Sequence, residues 1–248
     1  MKRLLKEDER LDHLLAEQLR IIQSPSVFSF SLDAVVLANF ASIPRRKKGR
    51  IVDLCTGNGV IPLLLSQRTG ASITGVELQP RLADMAKRSV AYNELTEQIT
   101  IVQDDVKNIH RKIGQSYFDT VTCNPPYFKV SEGSVQNESL HYRIARHEVA
   151  LTLDEAVASS ALLLKQGGKA AFVHRPDRFI DLLLAFRTYR LEPKRARFVY
   201  SKRNEEATVV LVEGIRDGSP GFQMLPPLYV YDENGHYTEE MRRMIDGA

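Results

Sequence analysis

Four consecutive residues near the middle of the chain, Asn124-Pro125-Pro126-Tyr127, combine groups suited to holding a flat, nitrogen-containing molecule. The proline rings fix the backbone φ and make the segment stiff, and neither proline has a backbone N–H to donate. The Pro125 carbonyl is left free to accept a hydrogen bond. The Asn124 side chain offers a second acceptor, and the Tyr127 ring can stack on a planar group. Two acceptors that hold the hydrogens of a conjugated amine in a bent arrangement favour its nucleophilic, tetrahedral form. The segment therefore predicts a site for a planar amine, although by itself it is also typical of a rigid turn.

A glycine-containing segment from Asp53 to Gly59 (DLCTGNG) indicates a second site. Gly57 and Gly59 lie between a predicted strand and a predicted helix, where glycine lets the backbone approach a ligand closely. Glu77 ends the next predicted strand, where a carboxylate can bind both hydroxyls of a ribose. Together the glycines and the carboxylate predict an adenosine-containing cofactor.

The charge and shape of the same loop indicate which cofactor. Pro62 replaces the third glycine of the dinucleotide fingerprint, which disfavours a pyrophosphate at the helix N-terminus. Asp53 would repel a phosphate but suits a cationic ligand with an amino acid end, so the loop favours S-adenosyl-L-methionine. After the third predicted strand, Asp104-Asp105 offers a carboxylate for the adenine amine, and a solvated turn is the alternative explanation, which we favour for Asp104.

The elements that must position these groups alternate between strands and helices. The predicted helices begin near Pro62, Pro80, Thr152 and Pro176, and the third has a capping box and ends at Gly167-Gly168. The predicted strands are short and continuously apolar, as in a buried parallel sheet, and comprise residues 50–54, 72–77, 98–103, 118–123 and 169–174. This alternation predicts an α/β fold with a doubly wound, mostly parallel sheet.

Both ends of the chain are predicted to extend the sheet domain. Leucines at helical spacing predict an amphipathic helix within residues 3–22, and Ser31-Leu32-Asp33 is predicted to cap a second helix through Ala41. Strands near 197–201 and 207–212 are predicted to form an antiparallel edge hairpin, which gives seven strands. We therefore expect an N-terminal helical extension at 1–45, a Rossmann-like domain at 46–215 and a C-terminal tail at 216–248.

The composition excludes several classes of protein. A chain of 248 residues with 43% hydrophobic residues can bury the core of one large domain. Apolar runs long enough to span a bilayer and a signal-peptide pattern are both missing, so we expect a cytoplasmic protein with no membrane partner. Cys55 and Cys123 lack metal-ligand or disulfide spacing, so we expect no metal. The pattern specifies no oligomeric state.

The positive charge is concentrated in the main body of the chain. Residues 213–248 carry 7 acidic and 3 basic side chains, which leaves 31 basic against 24 acidic in residues 1–212, a surplus of +7. Basic clusters at 44–50 and 187–203 predict binding of a polyanion such as RNA, although a solvated loop is an alternative explanation. The segment after Tyr127 also favours RNA, because it combines positive charge with an aromatic ring. The residues concerned are Lys129, His141, Tyr142, Arg143, Arg146 and His147. An ordinary ion pair at a helix start is the alternative for residues 146–148.

Three motifs in this order resemble the class I, Rossmann-like amino-methyltransferases: residues 53–59, Gly75-Val76-Glu77-Leu78-Gln79, and residues 124–127. Within that class the chain is most similar, over residues 25 to 215, to the bacterial tRNA1(Val) adenine-37 N6-methyltransferases. Residues 28–33 resemble that group's segment over the cofactor. The resemblance implies methyl transfer from S-adenosyl-L-methionine to the N6 amine of adenine in RNA, with tRNA as the expected partner. It implies a catalytic role for Asn124, Pro125, Pro126 and Tyr127, and cofactor binding by Asp53, Thr56, Gly57, Asn58, Gly59, Glu77, Leu78 and Asp105.

Other functions share some of these motifs. The Asn-Pro-Pro-Tyr motif also occurs in enzymes that methylate guanine N2 in ribosomal RNA, adenine N6 in DNA, or a glutamine amide of release factors. The glutamine-modifying family normally has a sizeable N-terminal helical bundle, whereas only about 45 residues precede the first predicted strand here. A non-enzymatic RNA-binding module predicts degraded motifs, but these are intact. A dehydrogenase is disfavoured by Pro62 and Asp53.

Overall fold

A computed structural model describes residues 4–14, 19–27, 31–127 and 151–246. Its main sheet contains seven long strands in the order β8-β9-β7-β6-β3-β4-β5. Neighbouring strands are parallel from β7 through β5, and β9 is antiparallel to both β7 and β8. The strands are β3 (Arg50–Leu54), β4 (Ser72–Glu77), β5 (Ile99–Gln103), β6 (Phe118–Cys123), β7 (Leu164–His174), β8 (Leu191–Tyr200) and β9 (Ala207–Arg216). The predicted α/β class, the mostly parallel seven-stranded sheet and the antiparallel hairpin at its edge are confirmed.

Helices cover both faces of the sheet, as the apolar character of its parallel strands requires. One face is buried by α1 (Leu32–Phe40), α2 (Val60–Ser66) and α3 (Pro80–Tyr92). The other face is buried by α5 (Leu153–Leu163) and α6 (Phe179–Thr188), and the short α4 (His110–Ile113) follows β5. Because every βα connection returns to the sheet, the loops after the parallel strands gather at a single edge.

The start of α5 follows its sequence signal, but its end does not. The Thr152 hydroxyl accepts the Glu155 N–H at 3.2 Å and the Glu155 carboxylate accepts the Thr152 N–H at 2.8 Å, so the predicted capping box is present. The prediction that Gly167-Gly168 ends this helix was wrong, because both glycines lie within β7. The strand starts early because Leu164 already pairs with Phe118 of β6.

The N-terminal residues form a hairpin, and the predicted helix within residues 3–22 was wrong. Strands β1 (Arg10–Leu14) and β2 (Leu19–Gln23) pair antiparallel. The Arg20 N–H donates to Asn93 Oδ1 at 2.9 Å, and Asn93 Nδ2 donates to the Arg20 carbonyl at 2.7 Å. The end of α3 thus satisfies backbone groups on the open side of β2, a tertiary contact that overrides the helical spacing of the leucines.

The segment after β9 packs against the sheet domain. The two-residue strands β10 (Gln223–Met224) and β11 (Leu228–Tyr229) pair parallel with β8, which brings the sheet to nine strands. Helix α7 (Glu239–Asp246) contacts α1 and buries Met241. Across the described ranges, no helix is both long and apolar enough to cross a membrane.

Candidate active site

A cleft of about 860 Å³ opens at the carboxyl edge of the sheet, where β3, β4, β5 and β6 end. It brings three sequence motifs together: the glycine loop, the acidic end of β4 and the Asn-Pro-Pro segment. Eight of the predicted site residues line it, namely Thr56, Gly57, Asn58, Glu77, Leu78, Asp105, Asn124 and Pro126. The other four, Asp53, Gly59, Pro125 and Tyr127, are not among its lining residues.

The two glycines of the loop serve different purposes. Gly57 lines the cleft with a φ of +57°, a left-handed conformation that L side chains rarely adopt. Gly59 has a φ of +90° and lies against α3, where an added Cβ would come within 3.1 Å of the Ala86 Cβ. Gly57 therefore allows the turn beside the ligand, and Gly59 allows the loop to pack against the adjacent helix.

The N-terminal hairpin supports the glycine loop. The buried Asn58 side chain donates from Nδ2 to the Ile22 carbonyl of β2 at 3.1 Å. The Ile22 N–H in turn donates to the Ser89 hydroxyl of α3 at 3.0 Å. Asn58 therefore links the cleft to the hairpin as well as lining the cleft.

Asp53 is fully buried beneath the loop. Its carboxylate accepts hydrogen bonds from the Thr56 hydroxyl at 2.5 Å and from the Thr122 hydroxyl of β6 at 2.6 Å. Burial, assisted by the nearby charge of Glu77, raises the pKa of Asp53 from 3.8 to about 7, and the two hydroxyls only partly offset this. Asp53 thus joins the loop to β6 and is protonated in part at neutral pH.

Glu77 presents its carboxylate to the cleft from the end of β4. It accepts the Gly57 N–H at 2.9 Å and the Gln79 N–H at 2.9 Å. Burial raises the pKa of Glu77 despite these backbone donors. The carboxylate is therefore held at the wall of the cleft in a fixed orientation.

The two aspartates after β5 differ in position. Asp105 lines the cleft, and its carboxylate accepts the Lys107 N–H at 2.9 Å. Asp104 accepts the Asp105 N–H at 2.8 Å and forms an ion pair with Lys112 at 3.1 Å, and these two contacts, in that order of size, lower the pKa of Asp104. Of the two, only Asp105 is among the residues that line the cleft.

The Asn-Pro-Pro-Tyr segment follows β6 and borders the same cleft. Asn124 and Pro126 line it, and Pro125 is buried between them. The Tyr127 hydroxyl donates to Asp33 of α1 at 2.9 Å. Burial and the Asp33 carboxylate raise the pKa of Tyr127 well above its ordinary value, so its hydroxyl stays protonated.

A buried histidine lies beside Tyr127. His174, the last residue of β7, has its ring centre 5.2 Å from the Tyr127 ring centre. His174 Nδ1 accepts the Arg175 N–H at 2.8 Å, and Nε2 has no hydrogen-bond partner among the described residues. Burial lowers the pKa of His174 to about 4, so the ring is neutral and its proton lies on Nε2.

Several residues of the cleft were not predicted. Ala34 of α1 and Leu151 come from distant parts of the chain, and no local signal marks them. Gln79 and Leu82 follow Glu77 closely, and their place after a strand end was an available signal. His174 does not line the cleft but lies beside Tyr127, and it could have been found by the same criterion because it ends a predicted strand.

Most of the second basic cluster is engaged within the chain. Four of its arginines form ion pairs: Arg187 with Glu192, Arg190 with Asp217, Arg195 with Glu213, and Arg197 with Glu240. These pairs offset part of the positive charge of the cluster, and its binding of RNA stays a prediction. The predicted RNA-binding residues from Lys129 to His147, Glu148 and residues 28–30 lie outside the described residues. In the part of the chain that the structure describes, no three His, Cys, Asp or Glu side chains cluster as a metal site requires.

Comparison with known sequences identifies related proteins. The family model of the methyltransferase small domain matches residues 18–199. A tRNA1(Val) (adenine(37)-N6)-methyltransferase of Porphyromonas gingivalis is 29% identical over 93% of this chain and 92% of its own length. A protein of the same name from Photobacterium profundum is 28% identical over 74% of this chain and 75% of its own length.

Solved structures share the fold. A protein from Agrobacterium tumefaciens described as a predicted O-methyltransferase has a TM-score of 0.70 at 20% identity and covers 87% of this chain and 96% of its own. Geranyl diphosphate methyltransferase in complex with SAM has a TM-score of 0.55 at 13% identity, with coverage of 74% and 84%. At these identities, the likeness concerns the fold alone.

Proposed function

Because the chain belongs to the methyltransferase small domain family, we propose that it transfers a methyl group from S-adenosyl-L-methionine to the exocyclic N6 amine of adenine in tRNA. The observation that carries this proposal is the position of Asn124 and Pro126 in the same cleft as the glycine loop and Glu77. In this arrangement a donor and a planar amine would meet in one cleft.

The groups around the cleft fit the cofactor. Glu77 is placed to bind the ribose hydroxyls, and Asp105 is placed to accept from the adenine amine. The loop of Thr56, Gly57 and Asn58 would hold the amino acid end, with the carboxylate of Asp53 beneath it as a compensating charge. When bound, the cofactor supplies a methyl group on a cationic sulfur.

The acceptor amine would be held by Asn124 and Pro125. The Asn124 side-chain oxygen and the Pro125 carbonyl can each accept one hydrogen of the amine, which directs the nitrogen lone pair away from the ring and toward the donor. The Tyr127 ring would stack on the base, and the Asp33 carboxylate fixes the hydroxyl of that ring. This arrangement requires the target base to leave its stack.

The substrate class is supported by the named relatives and by charge. Both cited relatives are named for adenine-37 of a tRNA, and they cover most of this chain. The surplus of +7 in residues 1–212 favours a polyanionic partner. A tRNA substrate places the reaction in the cytoplasm.

Labelled cofactor tests the proposed substrate. We would incubate the protein with it and with separate pools of tRNA, ribosomal RNA, DNA and release factor, followed by nucleoside or peptide analysis. Labelled N6-methyladenosine from tRNA is the expected product. Label in guanine, in DNA or in protein would contradict the proposal.

A substitution in the Asn-Pro-Pro-Tyr segment tests the acceptor site. Asn124→Ala should lower the rate of methyl transfer by about 100-fold or more, as loss of one preorganised hydrogen-bonding group does elsewhere. Binding of S-adenosylhomocysteine should stay within about threefold, because the lost group faces the acceptor. Asn39→Ala is a matched control, since the Asn39 side chain donates to the Val35 carbonyl within α1 and is not among the residues that line the cleft. Normal turnover by Asn124→Ala would remove Asn124 from the mechanism.

A further inference from the structure

We propose that the β8–β9 loop and the segment after β11 form a binding site for the single-stranded RNA that flanks the acceptor base. This inference rests on the proposed RNA substrate and adds the surface that holds it. The site consists of two adjoining clefts, an inner cleft of about 690 Å³ and an outer cleft of about 1210 Å³.

The strand directions place this surface beside the active site. Strands β7 and β8 are both antiparallel to β9, so they run in the same direction. The carboxyl end of β8, at Tyr200, therefore lies at the same sheet edge as the end of β6, which leads into Asn124. The loop from Ser201 to Glu206 is on the catalytic side of the molecule.

Shared residues connect the active site to both clefts. Asp33, which accepts the hydrogen bond from Tyr127, also lines the inner cleft. Tyr231 lines the inner cleft and the outer cleft. A strand that leaves the acceptor site past Tyr127 and Asp33 therefore meets the inner cleft first and the outer cleft beyond Tyr231.

The inner cleft has the chemistry of a base-binding site. Apolar groups line it, from Val36, Val199, Val209 and Val230. Hydroxyl groups line it as well, from Ser201 and Thr208. Bases of single-stranded RNA combine a flat apolar face with hydrogen-bonding edges, so they match such a surface.

The outer cleft combines aromatic rings with unpaired positive charge. The Arg203 guanidinium lies 5.4 Å from the centre of the Tyr229 ring, and that ring lies 5.5 Å from the Tyr200 ring. Lys202 and Arg203 have no carboxylate within ion-pair distance among the described residues, unlike the four arginines earlier in the same cluster. An exposed arginine beside aromatic rings is typical of surfaces that bind phosphates and stack bases.

Acidic groups in the outer cleft leave this charge available. Asp232 uses Oδ1 to accept the N–H groups of Asn234 and His236, both at 2.9 Å, so it stabilises its own turn. Glu233 is exposed and forms no ion pair with Lys202 or Arg203.

Paired substitutions test the site. In Lys202→Ala/Arg203→Ala, we expect the dissociation constant for unfractionated tRNA to rise about tenfold near 0.1 M salt. We also expect the slope of log affinity against log salt to become shallower by about 1.4, because two phosphate contacts to single-stranded RNA are lost. Lys87→Ala/Arg111→Ala is the matched control, since these exposed side chains lie outside both basic clusters, on α3 and α4, which follow β4 and β5 at the far end of the strand order from β8. That control should bind tRNA within about twofold of the unmodified protein.

Two further measurements make the result interpretable. Melting temperature and affinity for S-adenosylhomocysteine should be the same in all three proteins, which excludes misfolding as the cause. Equal losses of tRNA affinity in both double variants, or an unchanged salt slope in Lys202→Ala/Arg203→Ala, would overturn the site. Formation of N6-methyladenosine by the unmodified protein tests the proposed function separately, so the two failures are distinguishable.

Discussion

Cofactor affinity should depend on pH through Asp53. This carboxyl is buried under the loop that borders the cleft, and its pKa is raised to about 7. The cofactor and its product both carry a cationic ammonium at their amino acid end, and a positive charge near the loop favours the ionised carboxylate. Binding near neutral pH should therefore release a proton from Asp53.

The expected size follows from the pKa. At pH 6 a group with this pKa is about 90% protonated, and at pH 8 it is about 10% protonated. Because the ligand binds the protein with Asp53 ionised, its affinity should rise about tenfold from pH 6 to pH 8, which corresponds to about 1.4 kcal/mol. In Asp53→Asn this rise should disappear. The amide retains the size of the side chain and can still hydrogen-bond the hydroxyls of Thr56 and Thr122.

Isothermal titration calorimetry with S-adenosylhomocysteine provides the assay. Titrations at pH 6 and pH 8, in buffers of different ionisation enthalpy, give both the affinity and the number of protons released. The ligand's own titration is common to both proteins, so it cancels when Asp53→Asn is compared with the unmodified protein. Equal pH dependence and equal proton release in the two proteins would refute the role given to Asp53.

Two predictions concern stability and loop packing. The pKa of His174 is about 4, below its ordinary value of 6.5, so the neutral ring contributes stability that is lost as pH falls from 6.5 to 4. In urea titrations the free energy of unfolding of His174→Gln should therefore rise by up to about 3 kcal/mol relative to that of the unmodified protein as pH falls over that range. Parallel plots of unfolding free energy against pH for the two proteins would contradict the lowered pKa of His174. Gly59 has a φ of +90°, and a Cβ added there would lie 3.1 Å from the Ala86 Cβ. The strain in Gly59→Ala should cost about 1–3 kcal/mol and, by displacing the loop, weaken S-adenosylhomocysteine binding about tenfold or more. Unchanged affinity in Gly59→Ala would show that the loop tolerates a side chain. Gly167→Ala is the control for backbone strain alone, because Gly167 also has a positive φ but has open space around it.

Sequence signals predicted the parts of the site that follow strand ends. Gly57, Glu77, Asp105 and Asn124 each lie within a few residues of a strand whose apolar run was recognisable, and parallel strands bring such positions to one edge. The sheet class and the antiparallel hairpin followed from the same alternation of strands and helices.

Contacts between distant residues could not be predicted in this way. The spacing of the N-terminal leucines fits a helix, and only docking against Asn93 reveals the hairpin. The partners of Arg195 and Arg197 are Glu213 and Glu240, which lie 18 and 43 residues away, so the basic segment resembles a free surface in the sequence. Burial of Asp53 likewise depends on the adjacent strands.

A crystal structure with bound S-adenosylhomocysteine would test most directly whether donor and acceptor share one cleft. We predict that the ribose binds Glu77, that the adenine lies beside Asp105, and that the sulfur faces the acceptor groups of Asn124 and Pro125. The product bound in another cavity, or with its sulfur turned away from Asn124 and separated from it by protein, would contradict the account.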